Sequence, residues 1–474
     1  MITKHKVFGG IVWNFTGLVI DYGLRTIVKL ILARLLLPED FGVLGFAILF
    51  TGMINIFSDL GMFAALVQRK DTELKPIDYD TAFWMGIAWG LFLALVLTFI
   101  ITPISVNFFN EPLLKSILPA LSISLILMPL YTIPVVKITR DMDFKRIVVP
   151  QNVSQVASSA IAIAMAFMGF GVWSLVFQRL LGVVFLVIIH AITSTWRPQM
   201  RFSKVSFKNI FGFGIYTTGT SIFNYLTRNV DYLIIGKMLG AQSLGIYTLA
   251  YNVTYVIRGQ IMNVTNKVFY PVYSKIQNDS VSIKRYYFKI IKNNCIIIYP
   301  IMVGLILLAK PLVLLGLGEK WVEAVIPIQF MAGAGLIHLL TSSNTILLRG
   351  IGKPKLEMIL AIIKTIGITV PFIVLGVIYN GINGAAAALL AAKTVIFFIN
   401  NITLKKVANI QFWEILKNAG SLFAITLIAV ISSLFVTEYL FLTVLFLIYL
   451  IIHILISNQD IQQIIMLIKH RKNN

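Results

Sequence analysis

The chain has 474 residues, of which 58% are hydrophobic and only 12% charged, with a mean hydropathy of +0.88. A soluble domain carries roughly a quarter charged residues, so disorder and a water-soluble globular enzyme are excluded and a polytopic membrane protein is implied. The net charge of +21, from 40 Lys+Arg against 19 Asp+Glu, would suggest nucleic acid on a soluble chain, but here the basic residues sit mostly in short breaks between apolar runs, where they set topology.

From the N-terminus, Lys4, His5 and Lys6 precede an apolar stretch that superficially resembles a signal peptide. The stretch runs on through Asp21, Arg25 and Lys29 without a small-residue cleavage site, and it is read as a retained first helix. About 20 apolar residues cross a bilayer as a helix, and fourteen spans qualify. They are 8–36, 41–67, 80–106, 114–136, 147–168, 171–195, 209–237, 244–271, 288–309, 322–347, 356–378, 382–404, 417–436 and 439–457. With the N-terminus inside, the inside gaps collect Arg69, Lys70, Lys137, Arg140, Arg197, Arg201, Lys284, Arg285, Arg349, Lys353, Lys405 and Lys406. The outside gaps hold little beyond Lys115, Lys310 and Lys320. This asymmetry predicts cytoplasmic termini. The outside connections are short, as at Pro38-Glu39-Asp40, Gly169-Phe170-Gly171 and Tyr379-Asn380-Gly381, so no extracellular domain is expected.

Shifting the chain by 203 positions lays the first crossing on the seventh. Tyr22 then meets Tyr225, Arg25 meets Arg228, Gly42 meets Gly245 and Ala47 meets Ala250, while Arg34 faces Lys237. An even spacing of six helices keeps both halves in one orientation, which predicts parallel repeats about a central cavity. The expected fold is an all-α integral membrane protein with a six-helix lobe over 1–200, a second over 201–405, and two further helices with a basic tail over 406–474.

Charges at mid-membrane cost about 2.5–3.5 kcal/mol each on insertion scales. Asp21, Arg25 and Lys29 follow an i, i+4, i+8 spacing, so they share one helix face, extended by Asn14. The seventh crossing repeats the design with Thr217, Ser221, Asn224, Arg228 and Asp231. A hydrated basic cavity is the functional reading. Mutual pairing of Asp21 with Arg25 and of Arg228 with Asp231 is the structural alternative. Arg179, Arg258, Lys364 and Lys393 are further intramembrane cations, and Asp59 lies nearer the cytoplasmic end of its span. The candidate substrate-binding set is Arg25, Lys29, Arg228, Arg179, Lys364 and Lys393, with Asp21, Asp59 and Asp231 as coupling or salt-bridge residues. His190, His338 and His453 share no ligand spacing, so no metal site is expected. No phosphate-binding loop, HExxH or GxSxG occurs, and no catalytic residue is expected.

Family-level motifs follow the first crossing: Leu32-Ala33-Arg34-Leu35-Leu36-Leu37-Pro38-Glu39-Asp40-Phe41-Gly42, then Phe57-Ser58-Asp59-Leu60-Gly61 and Thr81-Ala82-Phe83-Trp84. With Arg140-Asp141-Met142-Asp143-Phe144-Lys145-Arg146, and Asp231-Tyr232-Leu233-Ile234-Ile235-Gly236 in the second half, the chain resembles the Wzx-type flippases, the polysaccharide-transporter branch of the MOP exporters. The resemblance implies two lobes rocking around a cavity. It implies export of an undecaprenyl-pyrophosphate-linked oligosaccharide across the bacterial cytoplasmic membrane for O-antigen, capsule, exopolysaccharide or teichuronic acid. Partners would be that substrate, membrane lipid and polysaccharide assembly proteins, with no nucleic acid and no cofactor. Proton or sodium coupling is typical of the superfamily, but no ion-site motif secures it here. The competing classes are a membrane glycosyltransferase or polymerase, disfavoured by short outside gaps, and a drug/cation antiporter, disfavoured by a cavity rich in cations rather than carboxylates.

Overall fold

The structure, a computed structural model, describes residues 4–470 except 59–61, 71, 434 and 436–437, with side chains outside the description at 4–12, 14, 15, 18, 19, 64, 209–224, 256, 257 and 459–470. The described elements are all helices. In chain order they are α1 Lys4–Leu35, α2 Pro38–Ser58, α3 Met62–Gln68, α4 Pro76–Val96, α5 Thr102–Phe109, α6 Leu114–Arg140, α7 Lys145–Phe167, α8 Val172–Thr193 and α9 Lys204–Lys275. Then follow α10 Ser280–Leu307, α11 Ala309–Gly316, α12 Val325–Leu339, α13 Asn344–Gly350, α14 Pro354–Ile362, α15 Val370–Ala408, α16 Phe412–Ser433 and α17 Tyr439–His470. Short π-helical segments, Leu97–Ile101 and Ile363–Thr369, join α4 to α5 and α14 to α15.

The helix starts follow local chemistry. Pro38, Pro76 and Pro354 open α2, α4 and α14, where a missing N–H costs nothing. A carboxylate three residues into a helix reaches back to the backbone N–H that precedes it: Asp40 to Leu37 at 2.9 Å, Asp78 to Lys75 at 2.7 Å and Glu414 to Gln411 at 2.7 Å. Long helical runs break where the backbone leaves helical angles. Gly240 at φ 80° divides α9, and Asn380 with Gly381 divides α15. The second break is a hairpin, since a Cβ on Gly384 would lie 1.9 Å from the Gly376 carbonyl oxygen, so only bare backbone lets the two arms touch.

Among the described residues, eleven helices are long and apolar enough to cross a membrane. Two of these runs, Tyr225–Tyr255 and Pro354–Ala408, each contain one of the breaks, and α1, which carries Asp21, Arg25, Lys29 and Arg34, is not among the eleven. That arrangement accommodates the fourteen spans read from the sequence. The protein is an all-α integral membrane protein.

The chain forms two compact units, Met1–Gly245 and Ile246–Asn474. Unit 1 packs α1 on α7, α7 on α8, and α6 on both α4 and α8. Its interior includes Leu32, Phe46, Leu66, Leu97, Leu114, Ile117 and Leu118, all buried. At its heart is a reciprocal contact between repeat-related positions. A Cβ on Gly42 would strike the Ala241 carbonyl oxygen at 1.7 Å, and one on Gly245 would strike the Pro38 carbonyl oxygen at 1.8 Å. The 203-residue shift carries Pro38 onto Ala241 and Gly42 onto Gly245, so each partner does to the other what is done to it, the mark of a twofold contact. The basic segment after α8 is also docked in unit 1. Trp84 Nε1 donates to the Gln199 carbonyl at 2.9 Å, the Gln199 N–H donates to Asp80 at 3.2 Å, and Trp196 packs edge-on against Phe83.

Unit 2 packs α12 on α10 and α15. It is knit by buried polar bonds between helices, Tyr287 OH to Asn344 Oδ1 at 2.6 Å and Tyr273 OH to Ser343 Oγ at 3.1 Å. The two C-terminal helices belong to this unit. His453 Nε2 donates to the Ile296 carbonyl at 3.0 Å, which leaves Nδ1 to accept from Tyr449 OH at 3.2 Å. Cys295 is fully buried.

Candidate functional site

The site in unit 1 is built from the polar face of α1, from α8 and from the part of α9 that precedes Gly240. On α1, Arg25 Nε donates to both carboxylate oxygens of Asp21 at 2.8 Å, with the Arg25 side chain 59% exposed. One turn further on, Lys29 is half-buried and within electrostatic reach of Arg179 on α8. Arg179 is in turn within reach of Arg25 and Tyr225. Its side chain is exposed. Tyr225 is anchored from α9 to α2 by donating to the Leu49 carbonyl at 2.9 Å, with Ile48 at 3.1 Å. Gly52 makes room for it: a Cβ there would lie 2.3 Å from the Tyr225 hydroxyl. Arg228 follows Tyr225 by three residues on the same helix face and is exposed.

Thus Arg25, Lys29, Arg179 and Tyr225 come together, with Arg228 one turn from Tyr225. Asp21 offsets a single cation, so the group keeps excess positive charge. Of the two pairs in the structural alternative, Asp21–Arg25 forms. The alternative pairing of Arg228 with Asp231 does not: Asp231 accepts the Tyr232 N–H at 3.0 Å, and Arg228 makes no ion pair among the described residues. The side chains of Asn14, Thr217, Ser221 and Asn224, and the whole of Asp59, lie outside the described residues.

Lys364 and Lys393 belong to the other unit. Lys364 lies in the π-helical segment before α15 and donates from Nζ to Asn400 Oδ1, whose Nδ2 donates to Thr341 Oγ1 at 3.0 Å. Lys364, Lys393 and Arg258 all lie within electrostatic reach of His338 on α12. Sequence reasoning passed over Asn400 and Thr341 and read His338 as structural. The signal that could have found them is a doubled amide, Asn400-Asn401, in an otherwise apolar run.

Comparison with known proteins gives the family. Residues 31–326 match the family described as polysaccharide biosynthesis protein. The chain belongs to that family. This family member is 25% identical to the lipopolysaccharide biosynthesis protein WzxC of Escherichia coli (strain K12) over 382 residues, 79% of this chain and 76% of that one. It is 24% identical to the succinoglycan biosynthesis transport protein ExoT of Rhizobium meliloti (strain 1021) over 408 residues, 85% and 79% of the two chains. Among solved structures, the lipid II flippase MurJ in an inward closed conformation matches with a TM-score of 0.72 at 16% identity, covering 97% of this chain and 100% of that one. An inward-facing multidrug resistance MATE transporter of the MOP superfamily matches with a TM-score of 0.62 at 16% identity, covering 83% and 98%. These two likenesses concern the fold alone. The resemblance to the Wzx-type branch of the MOP exporters holds.

Proposed function

We propose that this family member is a flippase, not an enzyme, which moves an undecaprenyl-pyrophosphate-linked oligosaccharide across the bacterial cytoplasmic membrane for surface polysaccharide assembly. The observation that carries the reading is the convergence of Arg25, Lys29 and Arg179 beside Tyr225 in unit 1, with one carboxylate among three cations. A diphosphate head group is what such a set can hold. Its charge bars unaided passage through lipid, and an Arg–phosphate contact near 4 Å is worth about 4 kcal/mol at an effective dielectric near 20. That matches the cost of keeping one cation at membrane depth. Arginine adds a planar fork for two phosphate oxygens, which lysine lacks. A cation antiporter would need carboxylates free to bind cargo, and Asp21 is engaged by Arg25.

In cells, the Arg25→Ala/Arg228→Ala protein should reach the membrane at normal levels, abolish surface polysaccharide and leave the lipid-linked precursor facing the cytoplasm, with Arg→Lys versions partly active. Normal export by the well-expressed double mutant sinks the reading. Restoration of export by also removing Asp21 and Asp231 would make the arginines structural instead.

Cytoplasmic termini follow from the basic-residue asymmetry. With Cys295 buried, a single cysteine at Phe170 or Asn380 should react with an impermeant thiol reagent added outside. Labelling from outside at Arg201 instead would reverse the topology.

A further inference from the structure

Unit 2 contains a second cationic group, which includes Lys364 and Lys393 of the candidate substrate-binding set, whereas the geometry behind the flippase reading lies in unit 1. Arg258 is 9% exposed, and its Nε is buried without a hydrogen-bond partner. Its guanidinium lies 5.3 Å from the Tyr255 ring centroid and against α12, where a methyl on Gly335 would sit 2.7 Å from Nη1. Gly335 and His338 lie three apart on α12, and Thr341 follows three residues later in the turn just past its end. His338 presents a buried Nδ1 without a partner, and Thr341 receives the Asn400 amide that holds Lys364. Arg258 and Lys364 thus mark the two ends of one polar file across α12, and Lys393 lies within electrostatic reach of its middle.

The charge balance of this file is the unusual feature. An arginine does not lose its proton in a protein, so burial cannot neutralise Arg258 as it can a lysine. A buried cation needs a counter-charge or a full set of acceptors. Among the described residues no carboxylate pairs with Arg258 or Lys364. Glu357 is within electrostatic reach of Lys364 but is held by Arg349 in a two-point pair at 2.9 and 3.1 Å. The Tyr255 face offers a partial negative surface without an acceptor lone pair for Nε. Lys364 sits in a π-helical segment, a backbone irregularity found frequently at functional sites.

We propose that unit 2 holds a small inorganic anion of the halide class between Arg258, His338 and Lys364. The proposal stands apart from the flippase reading, because it concerns unit 2 alone and holds whatever cargo unit 1 carries. Arg258 Nε–H supplies a charge-assisted donor, His338 supplies an N–H through its Nδ1 tautomer, and the lysines supply the surrounding positive field.

The test uses the full-length protein purified in mild detergent and gluconate salts at constant ionic strength. Equilibrium dialysis with radioactive chloride should show saturable binding of about one ion per chain, with bromide competing and Tm rising along the same titration. Arg258→Gln and Lys364→Gln should each weaken binding by about tenfold or more, as expected on removing a charged donor from an anion. Inorganic phosphate and pyrophosphate run as parallel titrants. Pyrophosphate binding without halide binding would assign the group to a carrier diphosphate and overturn the proposal. Absence of saturable chloride binding by the wild-type protein overturns it as well. So does unchanged binding in whichever of Arg258→Gln and Lys364→Gln remains folded.

Discussion

Two groups of cations, one in each unit, sit in different surroundings. In unit 1, Arg25, Arg179 and Arg228 are exposed, Arg25 is paired with Asp21, and Tyr225 is bonded to backbone carbonyls of α2. In unit 2, Arg258 is buried and Lys364 is engaged by Asn400. An exposed cation is open to a passing phosphate. A buried one must be satisfied by something that stays. On the two proposals above, burial, more than charge, separates the cargo-facing group from the resident one.

Removing a cation from the exposed group should have the largest effect. Arg179→Ala should reduce export by about a hundredfold, the loss expected for a charge-assisted contact worth about 2–3 kcal/mol, with little change in Tm. Surface polysaccharide quantified against membrane protein level reads this. A variant that melts early while its surviving fraction exports normally would place Arg179 with the resident cations instead.

A structural lesion tests whether the units can be damaged separately. Gly245→Ala places a methyl where the Pro38 carbonyl already sits and should cost about 1–3 kcal/mol or more through overpacking. Hydrogen exchange should quicken in peptides of 1–245 and stay unchanged in α10 and α12. Equal quickening in both would show one cooperative body and erase the contrast between the two groups.

The smallest expected effect is the sharpest comparison. Tyr225→Phe loses the bonds to Ile48 and Leu49, and Tyr287→Phe loses the bond to Asn344. Each should cost about 1–2 kcal/mol of stability. Export should fall with Tyr225→Phe, since the hydroxyl sits beside Arg179, and hold with Tyr287→Phe. A fall in both at matched expression would mean that export tracks stability alone.

The sequence by itself determined the helical class, the membrane setting and the repeat. These are written in composition, in apolar spans of membrane length and in a Tyr-x-x-Arg pattern that recurs where charge is costly. It also determined the members of the unit 1 group on α1, because an i, i+4 spacing fixes which side chains share a helix face. Tertiary structure alone decided what that face meets. Arg179 is 150 residues beyond Lys29, and no periodicity announces that α8 carries it into reach. Packing likewise decided that Lys364 binds an asparagine in unit 2, whereas the Asp21–Arg25 pair is local to α1 and readable from its i, i+4 spacing. The Gly42–Gly245 contact belongs to both levels. Its two glycines stand out when the chain is laid on its own repeat, but the requirement for them is a backbone carbonyl lying where a side chain would be, which exists only once the helices have closed on each other.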